Sequence, residues 1–339
     1  MASRVAAAPT GKVVVTDAGA MLAATVATLE AAHALYDLLP DGLSPEEVAT
    51  RSAGADVMIV TFVPLHKAAI AILRRVGLIV RCGVGVDAID VEAATEKGIW
   101  VANVPDYAVH EVADHTMLLL LAAVRHLNHF QRSWTEKGWA CMEYPAMHRL
   151  AARRLGIIGL GRIGSQVALR ARAFGMEVVT YSPRMSAGRL RKLGVSGMSL
   201  DELLRTSDVI SLHAPLTAQT THLLDQRAFA KMRRGVVIVN TARGGLIDLM
   251  ALQAAVDQGI VAAVALDVLE REPFPDLSLP FLHRANVTIT PHIAWYSDDA
   301  VHQLGVMAAE EALRYLQGKP PRSVLNPQAR PVGYQPSTQ

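Results

Sequence analysis

Two cysteines in 339 residues leave little for thiol chemistry. Cys82 and Cys141 make no disulfide framework and no zinc spacing, so the expectation is a reducing, cytoplasmic compartment. Charge of either sign is scarce in excess. Lys and Arg number 33 against 31 Asp and Glu, a net charge of +2, with no basic block and no basic–aromatic stripe. That excludes the compositional footprint of a nucleic-acid or membrane-surface binder. Long apolar runs are missing too: the longest, Met117 to Val124, falls far short of the roughly 20 residues a membrane-spanning helix needs. The opening MASRVAAAPTGK has no apolar core before Pro9 and reads as a loose lead-in rather than a signal peptide. No repeat of solenoid period appears, and the absence of G-x-S-x-G leaves a hydrolase reading unsupported.

What is present is an apolar half, 51% of the residues, in a chain long enough for two domains. In the first third, KVVVT (12–16), ADVMIV (55–60), GLIVRC (77–82) and IWVAN (99–103) read as buried strands with helical spacing between them. A long helical pattern follows, from Val109 to about Trp134. The rhythm then restarts with six candidate strands: RLGIIGL (154–160), EVVTY (177–181), DVISLHA (208–214), GVVIVNT (235–241), VAAVALDV (261–268) and NVTITPH (286–292). Such alternation predicts α/β architecture with two doubly wound parallel sheets, and the second set has the dinucleotide-binding pattern. A last helical run spans 298–317, and the polar, Pro-rich tail beyond it reads as irregular.

The fingerprint GLGRIG supplies Gly159, Gly161 and Gly164. It follows a strand and opens a helix, the context in which the first glycine makes the turn, the second admits pyrophosphate and the third packs helix on strand. About twenty residues on, where an acid usually holds the ribose 2′-hydroxyl, stand Ser182, Pro183 and Arg184. A serine that donates and an arginine that pairs with phosphate favour NADP(H), with NAD(H) as the alternative.

Three later strand ends carry chemistry. Arg243 follows one in NTARGG, Glu270 and Glu272 follow the next in LDVLEREP, and His292 follows the last in TPHIAWYS. Ligands of doubly wound sheets bind beyond the carboxyl ends of strands. An Arg to fork onto a carboxylate, a His to move a proton and a Glu to hold that His form the set needed to pass a hydride between a nicotinamide and a 2-hydroxy acid. Spacing alone does not choose between Glu270 and Glu272.

With the further motifs CGVGVDAIDVEAATEKGI and HAPLTAQTTHLL, the chain resembles the D-2-hydroxyacid dehydrogenases over about residues 12 to 327. The resemblance implies Arg243, Glu272 and His292 as the catalytic set. It also implies backbone N–H groups of Val84 and Gly85 on the substrate carboxylate. Cofactor contacts are implied for Thr116, Arg162, Ile163, His213, Ala214, Pro215, Thr220, Thr241, Ala242 and Asp267, besides the glycines, Ser182, Arg184, Arg243 and His292. A Rossmann domain (103–296) is expected to be inserted into a flavodoxin-like substrate domain (1–102 with 297–330), followed by an irregular tail (331–339). The helix after VPDYAVHEVADHT is expected in a homodimer interface. That stretch and WYS resemble the branch that includes the C-terminal binding protein corepressors, which would set Trp295 beside the substrate and offers a second reading, a dinucleotide-sensing corepressor or scaffold with vestigial activity. Retention of Arg243, Glu272 and His292 weighs against lost catalysis, and Glu272 weighs against formate-type chemistry.

HEVADH clusters His110, Glu111, Asp114 and His115, but position 114 is not His, so it is not the H-E-x-x-H zinc pattern. These groups, and His126 with His129, read as polar helix faces and contacts. Cys82 reads as a small buried residue at a strand end rather than a reactive thiol. No metal is expected.

Overall fold

The computed structural model describes residues 10–17, 19–139, 145–331, 333, 334 and 336; Cys141 and the lead-in before residue 10 lie outside the described residues. The chain divides into two compact units, Met1–Ala108 with Ser297–Gln339, and Val109–Tyr296.

In the first unit β1 (Lys12–Val15), α1 (Leu22–Ala31), β2 (Leu35–Leu38), α2 (Pro45–Ser52), β3 (Val57–Val60), α3 (Lys67–Ile72), β4 (Leu78–Arg81), α4 (Val91–Glu96) and β5 (Trp100–Asn103) follow one another. The strands pair in parallel in the order β2-β1-β3-β4-β5, the flavodoxin-like order. The VMIV of β3 is buried throughout, as expected of a strand covered on both faces. One strand escapes the sequence pattern: β2 is LYDL, an edge strand with a mostly exposed surface and no apolar run to announce it. Helix α2 starts at a capping box, Ser44 with Glu47, and Pro45 at its first turn.

The second unit holds α5 (Val109–Val124), α6 (Leu127–Lys137), β6 (Arg154–Ile158), α7 (Arg162–Ala173), β7 (Glu177–Tyr181), α8 (Ala187–Leu193), β8 (Ser196–Gly197), α9 (Leu200–Thr206), β9 (Val209–Leu212), α10 (Gln226–Ala230), β10 (Val236–Asn240), α11 (Leu249–Asp257), β11 (Val261–Leu266) and β12 (Val287–Ile289). Its sheet is parallel, in the order β12-β11-β10-β9-β6-β7-β8. Strand order reverses between β6 and β9, which makes that junction the switch point where doubly wound sheets bind ligands. Among the described residues there are seven strands rather than six, because two-residue β8 is too short for any periodicity to show. The long helix is also two helices. His126, at φ 51°, takes the left-handed conformation between apolar α5 and polar α6, and its ring reaches the carbonyl of Ala146 at 3.3 Å.

The chain then returns to the first unit as α12 (Asp298–Leu316), capped by Ser297 and packed on α1, β3 and β4. Gly305 permits the close crossing, since a Cβ there would lie 2.6 Å from the carbonyl oxygen of Met21. Residues 103–108 belong with the first unit, six residues past the expected boundary, because Asn103 is the last rung of β5 opposite Arg81. Beyond α12 the described residues of the tail form no helix or strand of their own, yet they are held. The N–H of Asn103 donates to Ser323 O and the N–H of Leu325 to Val101 O, at 3.2 and 2.8 Å. Tyr334 packs 4.8 Å from the Trp100 ring. Among the described residues no helix is long and apolar enough to cross a membrane.

Asn326 fastens this tail. Its fully buried side chain accepts from the N–H of Val101 at 2.8 Å and donates to Thr95 Oγ1 and Ile99 O at 2.8 and 2.9 Å. Asn326→Ala strands these buried groups and should cost about 2–3 kcal/mol, read as a lower midpoint in urea with an unchanged m-value; a wild-type midpoint would contradict this account.

Candidate active site

The glycine turn lies at the switch point of the second unit. Gly159, at φ 96°, takes a conformation that disfavours side chains, and a Cβ there would lie 2.7 Å from the backbone of His213 and Ala214 at the end of β9. A Cβ on Gly164 would overlap the carbonyl of Gly159. Gly161 differs: nothing stands within 4 Å of its missing side chain. It also begins α7 without a side-chain cap, whereas α8, α9, α10 and α11 begin at Ser186, Ser199, Asp225 and Asp248, whose side chains accept the first free N–H groups. Uncapped N–H groups at a helix start beside open space suit a phosphate. The residues present thus fit the pyrophosphate of a dinucleotide.

Around this turn the structure collects most of the expected cofactor residues. Arg162 and Ile163 open α7. His213, Ala214 and Pro215 follow β9, where Thr220 closes the loop by donating to Pro215 O at 2.7 Å. Burial pushes the His213 imidazole down to about 4, so it is neutral at physiological pH, with Nε2 2.8 Å from Ser211 Oγ. Ser182 follows β7 and its carbonyl accepts from Met185 N at 2.9 Å, turning the chain so that Arg184 is exposed. Among the described residues Arg184 has no ion-pair partner. Thr116, also among the expected contacts, lies inside the unit. It is fully buried in α5, donates to Val112 O at 2.6 Å and leaves its oxygen to Thr241 Oγ1 at 2.8 Å.

Arg243, Glu272 and His292 follow the adjacent strands β10, β11 and β12. His292 Nδ1 contacts Glu272 Oε2 directly, while Glu272 Oε1 accepts from Leu269 N at 3.0 Å. Burial alone would raise the Glu272 carboxyl. The bond and charge of His292, the Leu269 N–H and the Arg243 guanidinium outweigh it and hold the group below the ordinary carboxylate range. Glu272 is therefore ionised at neutral pH. Its stabilising effect, present above the ordinary carboxylate pKa, is lost only as pH falls through the lowered value.

The turn carrying Arg243 is tied by Asn240, a wholly buried residue that sequence reasoning passed over. Its side chain donates to Arg243 O at 2.9 Å and accepts from Ala242 N at 3.0 Å. A polar residue closing the apolar run VVIVN was the available signal. Gly244 lets this turn lie against the next loop, since a Cβ there would overlap the carbonyl of Leu269. The Arg243 and Glu272 loops therefore touch backbone to backbone.

Asp267, 2% exposed, spends its carboxylate on the His292 turn. Oδ1 accepts from Thr290 Oγ1 at 2.5 Å and Ile293 N at 3.0 Å, and Oδ2 accepts from Ala294 N at 2.9 Å. Its carbonyl accepts from His292 N at 2.8 Å. The indole N–H of Trp295 donates to His292 O at 3.0 Å, so this Trp braces the same turn.

The HEVADH cluster separates. Asp114 and His110 meet Arg170 of α7, at 2.5 and 3.4 Å, while His115 points to Thr290 Oγ1 at 3.0 Å. In the first unit, Val84 and Gly85 follow β4, and among the described residues their N–H groups donate to no protein acceptor. Cys82 beside them is buried, and burial pushes its thiol up to about 12. In native protein at pH 8 it should resist iodoacetamide and label only in denaturant, as peptide mass spectrometry reads; rapid native labelling at Cys82 would refute this.

Residues 117–294 match the family model of the D-isomer specific 2-hydroxyacid dehydrogenase, NAD binding domain. A D-3-phosphoglycerate dehydrogenase of Archaeoglobus fulgidus is 41% identical over 253 residues, covering 75% of this chain and 48% of that protein. The chain thus spans about half the length of the curated relatives it matches first. A glyoxylate reductase of Korarchaeum cryptofilum is 33% identical over 312 residues, 89% of this chain and 94% of its own. Among solved structures, a glyoxylate reductase from Paecilomyes thermophila superposes with a TM-score of 0.86 at 30% identity, covering 94% of this chain and 99% of that one. An acyclic imino acid reductase in complex with NADPH and D-Arg gives 0.83 at 28% identity, covering 93% and 99%.

Proposed function

Because the chain belongs to the D-isomer specific 2-hydroxyacid dehydrogenase family, we propose that it is an oxidoreductase that interconverts a small 2-keto acid and the matching D-2-hydroxy acid, with reduction as its working direction. The observation that carries this reading is the Glu272–His292 contact, with Arg243 on the adjoining strand end of the sheet that holds the glycine turn.

When bound, the nicotinamide supplies or takes the hydride. The chain's own groups do the rest. His292, held through Nδ1 by ionised Glu272, keeps Nε2 for the keto oxygen and delivers the proton that turns it into a hydroxyl. In oxidation it takes that proton back. Arg243 forks onto the substrate carboxylate and polarises the adjoining carbonyl. In the first unit the undonated N–H groups of Val84 and Gly85 are suited to a carboxylate, as the resemblance implies. His292 sits at φ 53°, a strained backbone that the Asp267 bonds hold in place.

For the cofactor we favour NADP(H) over NAD(H). Support comes from Ser182, which cannot repel a 2′-phosphate as an acid would, from exposed Arg184, and from a structural neighbour that holds NADPH. The homodimer rests on the family resemblance, and the cytoplasmic location on the sparse cysteines.

Purified protein with NADPH or NADH and a panel of glyoxylate, hydroxypyruvate, phenylpyruvate and a phosphorylated 2-keto acid should lose nicotinamide absorbance. His292→Ala should lower kcat by about 100-fold or more with cofactor affinity retained. No turnover on the whole panel, with tight cofactor binding, would favour a sensing module instead. The wild-type ratio of kcat/KM with NADPH to that with NADH should exceed one, and Ser182→Asp combined with Arg184→Ala should invert it. A wild-type ratio below one would reverse the cofactor assignment.

A further inference from the structure

Spacing leaves two acids, Glu270 and Glu272, in one loop, and the structure gives each its own histidine. Glu272 contacts His292, and Glu270 Oε1 lies 2.7 Å from His222 Nε2. His222 lies in the segment between β9 and α10, far from both acids in sequence. Its φ is 49°, a left-handed conformation that costs a non-glycine residue roughly 1 kcal/mol or more. Its backbone N–H donates to Gly245 O at 2.8 Å, in the turn that carries Arg243. The grip continues two residues on, where Leu224 N donates to Leu246 O at 3.0 Å and Asp248 N to Leu224 O at 3.1 Å. One residue therefore holds the Arg243 turn by its main chain and the Glu272 loop by its side chain. Between these two attachments the turn and the loop are already in backbone contact at Gly244 and Leu269.

The His222–Glu270 contact does little for folding. Its side chains are 41% and 39% exposed, the range in which such pairs contribute about 0–1 kcal/mol. A strained backbone for so small a return points to a geometric role.

We propose that His222 is a positioning residue: paired with Glu270, it straps the Glu272 loop to the Arg243 turn and so fixes the distance between the carboxylate that holds His292 and the cation that receives the substrate. The assignment rests on the functional reading above, and its consequence is specific. Loosening the strap lets Glu272 and His292 wander while Arg243 keeps its place, because the main-chain bond to Gly245 survives any substitution that retains the N–H. Proton delivery suffers and carboxylate binding does not.

The test uses His222→Gly, which keeps that N–H and relieves the left-handed backbone. Its Tm should equal or exceed that of the wild type, while kcat for keto-acid reduction falls about 10- to 100-fold and KM for the keto acid stays within about twofold of wild type. Glu270→Ala should match it, Glu270→Gln, which keeps an acceptor, should recover most of kcat, and the double variant His222→Gly/Glu270→Ala should be no worse than either single one. Wild-type kcat in His222→Gly, or losses that multiply in the double variant, overturns the strap. A readout independent of turnover is amide exchange at Leu269, whose N–H is held by Glu272 Oε1. Faster exchange there in His222→Gly supports the strap even if the wild-type protein reduces none of the keto acids, a result that would sink the functional reading alone; unchanged exchange overturns the strap whatever the activity.

Discussion

The candidate site depends first on a carboxylate removed from solvent. Asp267 ends the β11 run and is almost wholly buried, a position that would be costly for a charge without partners. It has them: one hydroxyl and two backbone N–H groups, all from the turn after β12. Those bonds fold that turn tightly enough to hold His292 in a conformation an isolated histidine avoids. His115 extends the arrangement. Because the Thr290 hydroxyl is spent on Asp267, the His115 ring must donate to Thr290, so a side chain of α5 joins the support of a turn at the far end of the unit's sequence. The resemblance assigns Asp267 to the cofactor. The geometry adds a prior duty, which is to build the turn that presents the histidine.

The rest of the site is a division of labour among neighbouring strand ends. Strand order places the ends of β10, β11 and β12 side by side, so the segments that carry Arg243, Glu272 and His292 are neighbours. Asn240 ties the first turn to itself, Gly244 lets the first loop touch the second, and Glu272 joins the second to the third. A glycine is needed at 244 for contact rather than for freedom, since any side chain would stand where the Leu269 carbonyl lies. The glycine turn after β6 opens at the reversal of strand order in the same sheet, and the proposed hydride exchange would need the two regions to share one molecule of dinucleotide.

Much of the fold was legible because buried parallel strands advertise themselves as β-branched runs, and every such run became a strand. What escaped was what burial does not mark. The edge strand β2 shows mostly solvent-facing residues and β8 is two residues long. His126 breaks a helix by a backbone choice that its residue type does not announce. In the site, residue types at strand ends pointed to Arg243 and His292, but Glu272 could not be told from Glu270 by spacing, since both follow the same strand within three residues of each other. Only the fold shows that the two acids serve different histidines. Thr116 illustrates the reverse limit. The resemblance counts it among the cofactor contacts, and only a three-dimensional account of donors and acceptors reveals that its hydroxyl also bonds inside the protein.

The three glycines of the fingerprint are not needed for the same reason, and this bears on how such a motif persists or decays. Gly159 and Gly164 are pressed by the protein's own backbone, so a chain that lost either would pay in folding, ligand or no ligand. Gly161 faces nothing of the protein. An alanine there would leave the empty protein intact and be felt only when phosphate arrives. Two of the three positions would therefore outlast any loss of cofactor use, as fossils kept by the fold, while the middle one records whether a dinucleotide is still being bound.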